Sequence, residues 1–128
     1  MALPASATAI AFVLTRDRAV SEAFYRDTLG LAFKADDGFA AVFDLNGSEL
    51  RITHIPDHTA APHPVLGWAV PDIAATVADL TARGVDMILY AGMGQDETGV
   101  WTSPDGGTKV AFFADPDGNV LSLTQSSK

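Results

Sequence analysis

Apolar residues in this chain fall into short runs and helical stripes, and their order occurs twice. Ala9 to Leu14 (AIAFVL) is an apolar run rich in strand formers, which predicts a buried strand. Asp17 comes next, and Ala19, Val20, Ala23, Phe24 and Leu29 predict a helix with one apolar stripe. Gly30 ends it with a left-handed cap, and Leu31 to Lys34 resumes extended structure. Later, Pro64 to Val70 (PVLGWAV) predicts a strand and Asp72 a helix N-cap. Ile73, Val77 and Leu80 form the second stripe, Gly84 caps it, and Val85 to Tyr90 (VDMILY) is again extended. A shift of 55 positions lays Asp17 on Asp72 and brings Gly30 within one position of Gly84.

Turn chemistry divides the stretch after each helix into strands. Asp37-Gly38 and Asn46-Gly47 separate strands in the first half, because glycine there accepts the positive φ of a tight turn. Pro104-Asp105-Gly106 and Pro116-Asp117-Gly118 do so in the second. Setting Gly47 on Gly118 lays Arg51 on Ser122. The predicted fold is α+β: two tandem βαβββ modules whose sheets curve around a central pocket. Module one spans 7–54, the linker 55–62 and module two 63–126, within a single domain of residues 1–128.

Strand alternation assigns faces. With Ile10 and Val65 toward the pocket, Phe12, Leu14, Gly67 and Ala69 join them, while Ala11, Val13, Leu66, Trp68 and Val70 pack on the helices. Glu49, Arg51 and Thr53 face inward from one module, and Val120, Ser122 and Thr124 from the other. An apolar bowl with a few polar groups suits a small molecule.

Composition narrows the partners. Hydrophobic residues make up 48% of 128 residues, which argues against disorder. Eight basic against 16 acidic residues leave a net charge of −8, so neither nucleic acid nor membrane is expected as a partner. There is no cysteine, which excludes disulfides and thiol chemistry. No apolar run approaches a membrane span, and Met1-Ala2-Leu3-Pro4 lacks the basic start of a signal peptide, so the cytoplasm is the expected address. Neither four-stranded sheet covers both its faces alone, which predicts that modules pack together or across a homodimer. No nucleophile elbow, phosphate loop or dinucleotide fingerprint is present.

The segments Ala23 to Leu31 (AFYRDTLGL) and Phe113 to Asn119 (FADPDGN), with the strand, helix and Arg83-Gly84-Val85 of the second half, resemble the vicinal oxygen chelate superfamily. That superfamily includes glyoxalase I, extradiol dioxygenases and bleomycin-resistance proteins. The resemblance spans nearly the whole chain. It implies a metal site with one ligand from the first and one from the last strand of each module, usually His, Gln or Glu. The matching positions are Ile10, Arg51, Val65 and Ser122. Two are aliphatic, one is a weak neutral donor, and a guanidinium about 4 Å from a divalent cation is repelled by roughly 8 kcal/mol at an effective dielectric near 20. No cofactor is therefore expected. A divalent metal with shifted ligands is the alternative, with His54, His58 and His63 as a weaker source of donors, since Pro56 and Pro62 interrupt them.

The expected function is metal-independent binding of a small-molecule ligand, in the manner of bleomycin-resistance relatives. The alternative is a lyase, isomerase or dioxygenase of glyoxalase type, metal-dependent or using a carboxylate base, for which Glu49 and Glu97 are the catalytic candidates. A weaker third reading is an interaction module pairing through edge strands. Candidate ligand contacts are Arg51, Phe12, Thr53, Trp101, Ser122, Tyr90 and His63. Arg51 either forks onto a ligand carboxylate or phosphate or pairs internally with Glu49. Residues 91–99, Gly-rich and acidic, read as a mobile loop that serves as a lid or as an inert surface.

Overall fold

Asp17 and Asp72 open their helices in the same way. Each lies in extended backbone and accepts a hydrogen bond from the N–H three residues on, Val20 at 3.3 Å and Ala75 at 3.1 Å. A carboxylate there satisfies one of the four free N–H groups of a helix start. Gln125 reaches a further one, accepting from the Ile73 N–H at 2.8 Å.

The computed structural model describes residues 2–127. They form two compact units, divided between His58 and Thr59. The first contains strand β1 (Ile10–Thr15), helix α1 (Arg18–Ala23), a π-helical turn (Phe24–Thr28), and strands β2 (Phe33–Asp36), β3 (Ala40–Asp44) and β4 (Glu49–His54). The second contains β5 (Pro64–Ala69), α2 (Ile73–Ala82), β6 (Trp101–Thr102), β7 (Thr108–Ala114) and β8 (Val120–Ser126). The sheets run β1-β4-β3-β2 and β5-β8-β7-β6. In each, the strand before the helix pairs in parallel with the last strand, and the other pairs are antiparallel. The fold is thus α+β, in two tandem βαβββ units.

The turns form where glycine allows them. Asn46 and Gly47 both have positive φ, 59° and 109°, as the hairpin between β3 and β4 requires. Val13, Phe43, Leu50 and Ile52 are buried in the first unit, with α1 packed on β4. Ile73, Val77 and Leu80 are buried with Phe113, Leu121 and Leu123 in the second, with α2 packed on β7 and β8.

Two local expectations need correction. The first helix buries Ser21 and Tyr25, while Val20 is exposed. Its second half is wound wider, with the Leu29 N–H bonded to the Phe24 carbonyl five residues back, and this seats Tyr25 against Phe43. The segment Val85 to Tyr90 forms one isolated bridge, Met87 to Phe113, instead of a regular strand. The Ile88 N–H also bonds the Phe112 carbonyl at 2.8 Å.

Candidate functional site

Register places the candidate residues of the first unit on one sheet face. Ile10 lies beside Glu49, Phe12 beside Arg51 and Leu14 beside Thr53. Their alternates Val13, Leu50 and Ile52 are buried on the α1 side, so these six line the helix-free face. Phe12 is 62% exposed there.

Arg51 does not pair with Glu49. Its Nη2 donates to Asp37 Oδ2 at 2.5 Å, while Glu49 accepts from Lys34 Nζ at 2.8 Å. The register explains the exchange. β3 lies between β4 and β2, and both cationic and anionic partners come from the β2 side of the sheet. Asp37 also accepts from the Phe39 and Ala40 N–H groups at 3.0 and 2.9 Å. Arg51 foremost, then these two amides, holds its carboxyl down to about 2. Glu49 is therefore a paired carboxylate, which weakens it as a candidate base.

The second unit presents a different face. Ser122 pairs in register with Gly67 on one side and Phe112 on the other. Thr124 pairs with Val110, and Val110 with Trp101. Paired residues share a face, so Trp101, Val110, Phe112, Ser122 and Thr124 lie together, opposite the buried Phe113, Leu121 and Leu123. Tyr90 joins them, its ring 5.4 Å from that of Phe112 and at 80° to it. Gly67 lets the strands meet closely here, because a Cβ built there would collide with Ser122 Oγ unless that side chain shifted. His63 is exposed just ahead of β5 and belongs to no cluster of ligating side chains among the described residues.

The loop 91–99 is held by its own side chains. Gln95 accepts from the Tyr90 N–H at 2.7 Å and donates to the Ile88 and Gly99 carbonyls, each at 2.9 Å. Asp96 accepts from the Thr98 hydroxyl and from the Thr98 and Val100 N–H groups. The Thr98 hydroxyl bond first, then these amides, lowers its pKa. Glu97 is exposed beside them and takes no part.

The residues at the positions implied for a metal do not fit one. Ile10 and Val65 offer no lone pair, Arg51 is a fixed cation bound to Asp37, and Ser122 supplies a single neutral hydroxyl. Among the described residues, no three His, Asp or Glu side chains come close enough to hold an ion. Nor is any helix among them long and apolar enough to cross a membrane.

Three participants lie outside the candidates that the sequence offers. Phe112 has a detectable signal, since strand parity puts it on one face with Val110 and Ala114, the face that Ser122 shares. Asp37 reads in sequence only as a turn residue, and Gln95 only as part of a loop. Neither carries a local signal of its role, because each acts on a partner fixed by the fold.

Residues 8–123 match the model of the Glyoxalase/Bleomycin resistance protein/Dioxygenase superfamily. No protein of curated function matches the chain. Among solved structures, TnmS3, an antibiotic binding protein from Streptomyces sp. CB03234, is 25% identical, with a TM-score of 0.72 and 99% of both chains covered. A glyoxalase/bleomycin resistance protein from Catenulispora acidiphila is 26% identical, with a TM-score of 0.68 over 94% of this chain and 98% of that one. Lactoylglutathione lyase from Agrobacterium tumefaciens is 20% identical, with a TM-score of 0.68 over 98% and 97% of the two chains, a likeness of fold. With its doubled βαβββ order and a family match over almost its full length, the chain belongs to the glyoxalase/bleomycin resistance protein/dioxygenase superfamily.

Proposed function

We propose that this chain is a metal-independent binding protein that sequesters an aromatic small molecule of antibiotic type. The observation that carries the reading is the helix-free face of the second unit, which Tyr90, Trp101 and Phe112 share with the hydroxyls of Ser122 and Thr124, with Phe112 directly beside Ser122. Aromatic rings give a planar ligand stacking surface, and hydroxyls orient it without demanding charge. The donor-poor positions Ile10, Arg51, Val65 and Ser122 support independence from metal. Similarity to an antibiotic binding protein supports the ligand class.

Trp101 is the probe. Trp68 pairs with Leu123 on the opposite face, so ligand quenching of Trp101 is separable from it. Titration with anthracycline, tetracycline and quinolone compounds is expected to give saturable quenching by at least one, with the compound recovered unchanged by mass spectrometry. Trp101→Leu is expected to weaken that binding about three- to tenfold, the worth of one aromatic pair. Chemical conversion of the bound compound, a requirement for stoichiometric divalent metal, or no saturable binding across the panel would each overturn the reading.

A further inference from the structure

The second unit has a groove on the face opposite the aromatic residues. The extended segment after α2 divides its side chains between the two: Tyr90 meets Phe112 on the helix-free face, while Met87 pairs with Phe113 on the α2 side and Leu89 joins it by strand parity. Between this segment and α2 lies a space of about 600 Å³, within the range of small-molecule sites.

Its walls are apolar for a simple reason. α2 turns Ala74 and Ala78 outward, and methyl groups leave depth where longer side chains would fill it. Leu89 stands 62% exposed on the other wall, although it is a large apolar residue. Val77 and Val85 are buried at the base.

Asp86 and Glu97 border the same groove, and no lysine or arginine does. Among the described residues these two carboxylates have neither a hydrogen-bond nor an ion-pair partner, whereas the nearby Asp79 and Asp96 are engaged by Arg83 and Thr98. An apolar channel edged by unneutralised negative charge is complementary to a molecule with an apolar body and a cationic end.

We propose that this groove is a second binding site, distinct from the aromatic sheet face, for a lipophilic ammonium compound. Its apolar part lies against Ala74, Ala78 and Leu89, and its ammonium group meets Asp86 and Glu97. Neutral and anionic analogues of the same shape bind more weakly because they leave those carboxylates unpaired.

The test is amide NMR on the full chain with 4-phenylbutylammonium, against 4-phenylbutanol and 4-phenylbutyrate. The ammonium is expected to shift the Ala74, Ala78, Leu89 and Glu97 amides saturably, less so at high salt. Glu97→Gln and Asp86→Asn are each expected to weaken it about two- to fivefold, the range of exposed ion pairs, and Ala78→Trp to abolish it by filling the groove. Equal affinity for the alcohol, or shifts confined to Trp101 and Phe112, would overturn the proposal. So would groove signals that depend on protein concentration without probe, with a doubled mass, since a second copy would then cover the site.

Discussion

Arg51 on β4 and Asp37 in the turn after β2 form an ion pair at 2.5 Å that joins the end of the β2–β3 hairpin to the next strand of the sheet. Asp37 simultaneously caps the Phe39 and Ala40 amides, so the turn and the guanidinium are held by one carboxylate. Arg51→Met is expected to lower the thermal midpoint, and Asp37→Asn to lower it as well, with the double variant losing less than the sum of the two. Strict additivity of midpoints would show that the contact contributes nothing.

The same pair sets a dependence on acid. The Asp37 carboxyl is held below its unfolded value, at about 2. Its contribution is therefore full above the ordinary aspartate range near pH 4 and declines as pH falls toward 2. Asp36, Asp96 and Asp105 are lowered in the same direction, first by the Gly38 amide, by Thr98 and by Ser103 respectively. Thermal midpoints from pH 5 to pH 2 are expected to fall, and Asp37→Asn to fall less steeply. An unchanged slope in the variant would refute the assignment.

Gly67 and Ser122 share one space. Gly67→Ala drives a methyl group into Ser122 Oγ and sets it 3.2 Å from the Ser122 carbonyl oxygen. Overpacking of this kind costs about 1–3 kcal/mol, readable by urea denaturation. Adding Ser122→Ala removes the nearer clash and is expected to restore most of the loss. Equal stability of Gly67→Ala and the parent would mean that the Ser122 side chain and its strand give way here without cost.

Tyr25 is fully buried, edge-on to Phe24 at 5.3 Å and tilted against Phe43 at 6.4 Å. Tyr25→Ala leaves a large cavity beneath the π-helical turn and is expected to cost about 3–5 kcal/mol of unfolding free energy. A loss under about 1 kcal/mol would place the core elsewhere.

Gln95 ties the loop 91–99 by three hydrogen bonds to backbone groups. Gln95→Leu keeps the size of the side chain and removes the bonds. Limited proteolysis is expected to cut the variant within 91–99 faster than the parent, with little change elsewhere. An unchanged cleavage rate would show that Asp96 alone orders the loop.

The fold was legible to a large extent. Duplicated order, the Asp17 and Asp72 caps and the glycine turns are local signals that depend on a few neighbouring residues. The faces were legible for the same reason: Phe12 and Arg51 fell together, as did Ser122 and Thr124, because alternation is a property of each strand's own backbone. The second helix showed its buried side through Ile73, Val77 and Leu80. The first did not, since its buried positions include Ser21, and a wider turn after Ala23 altered the period on which the stripe depends.

Local pattern alone settled which residues alternate together and where the chain turns; the resemblance added the positions implied for a metal, and the residues standing there are poor donors. The assembled fold chose which charges meet. Arg51 found Asp37 and Glu49 found Lys34, because pairing across a sheet depends on the register of strands distant in sequence. Assembly also sent Tyr90 to one face and Leu89 to the other, through a single bridge at Met87 that no local pattern marks.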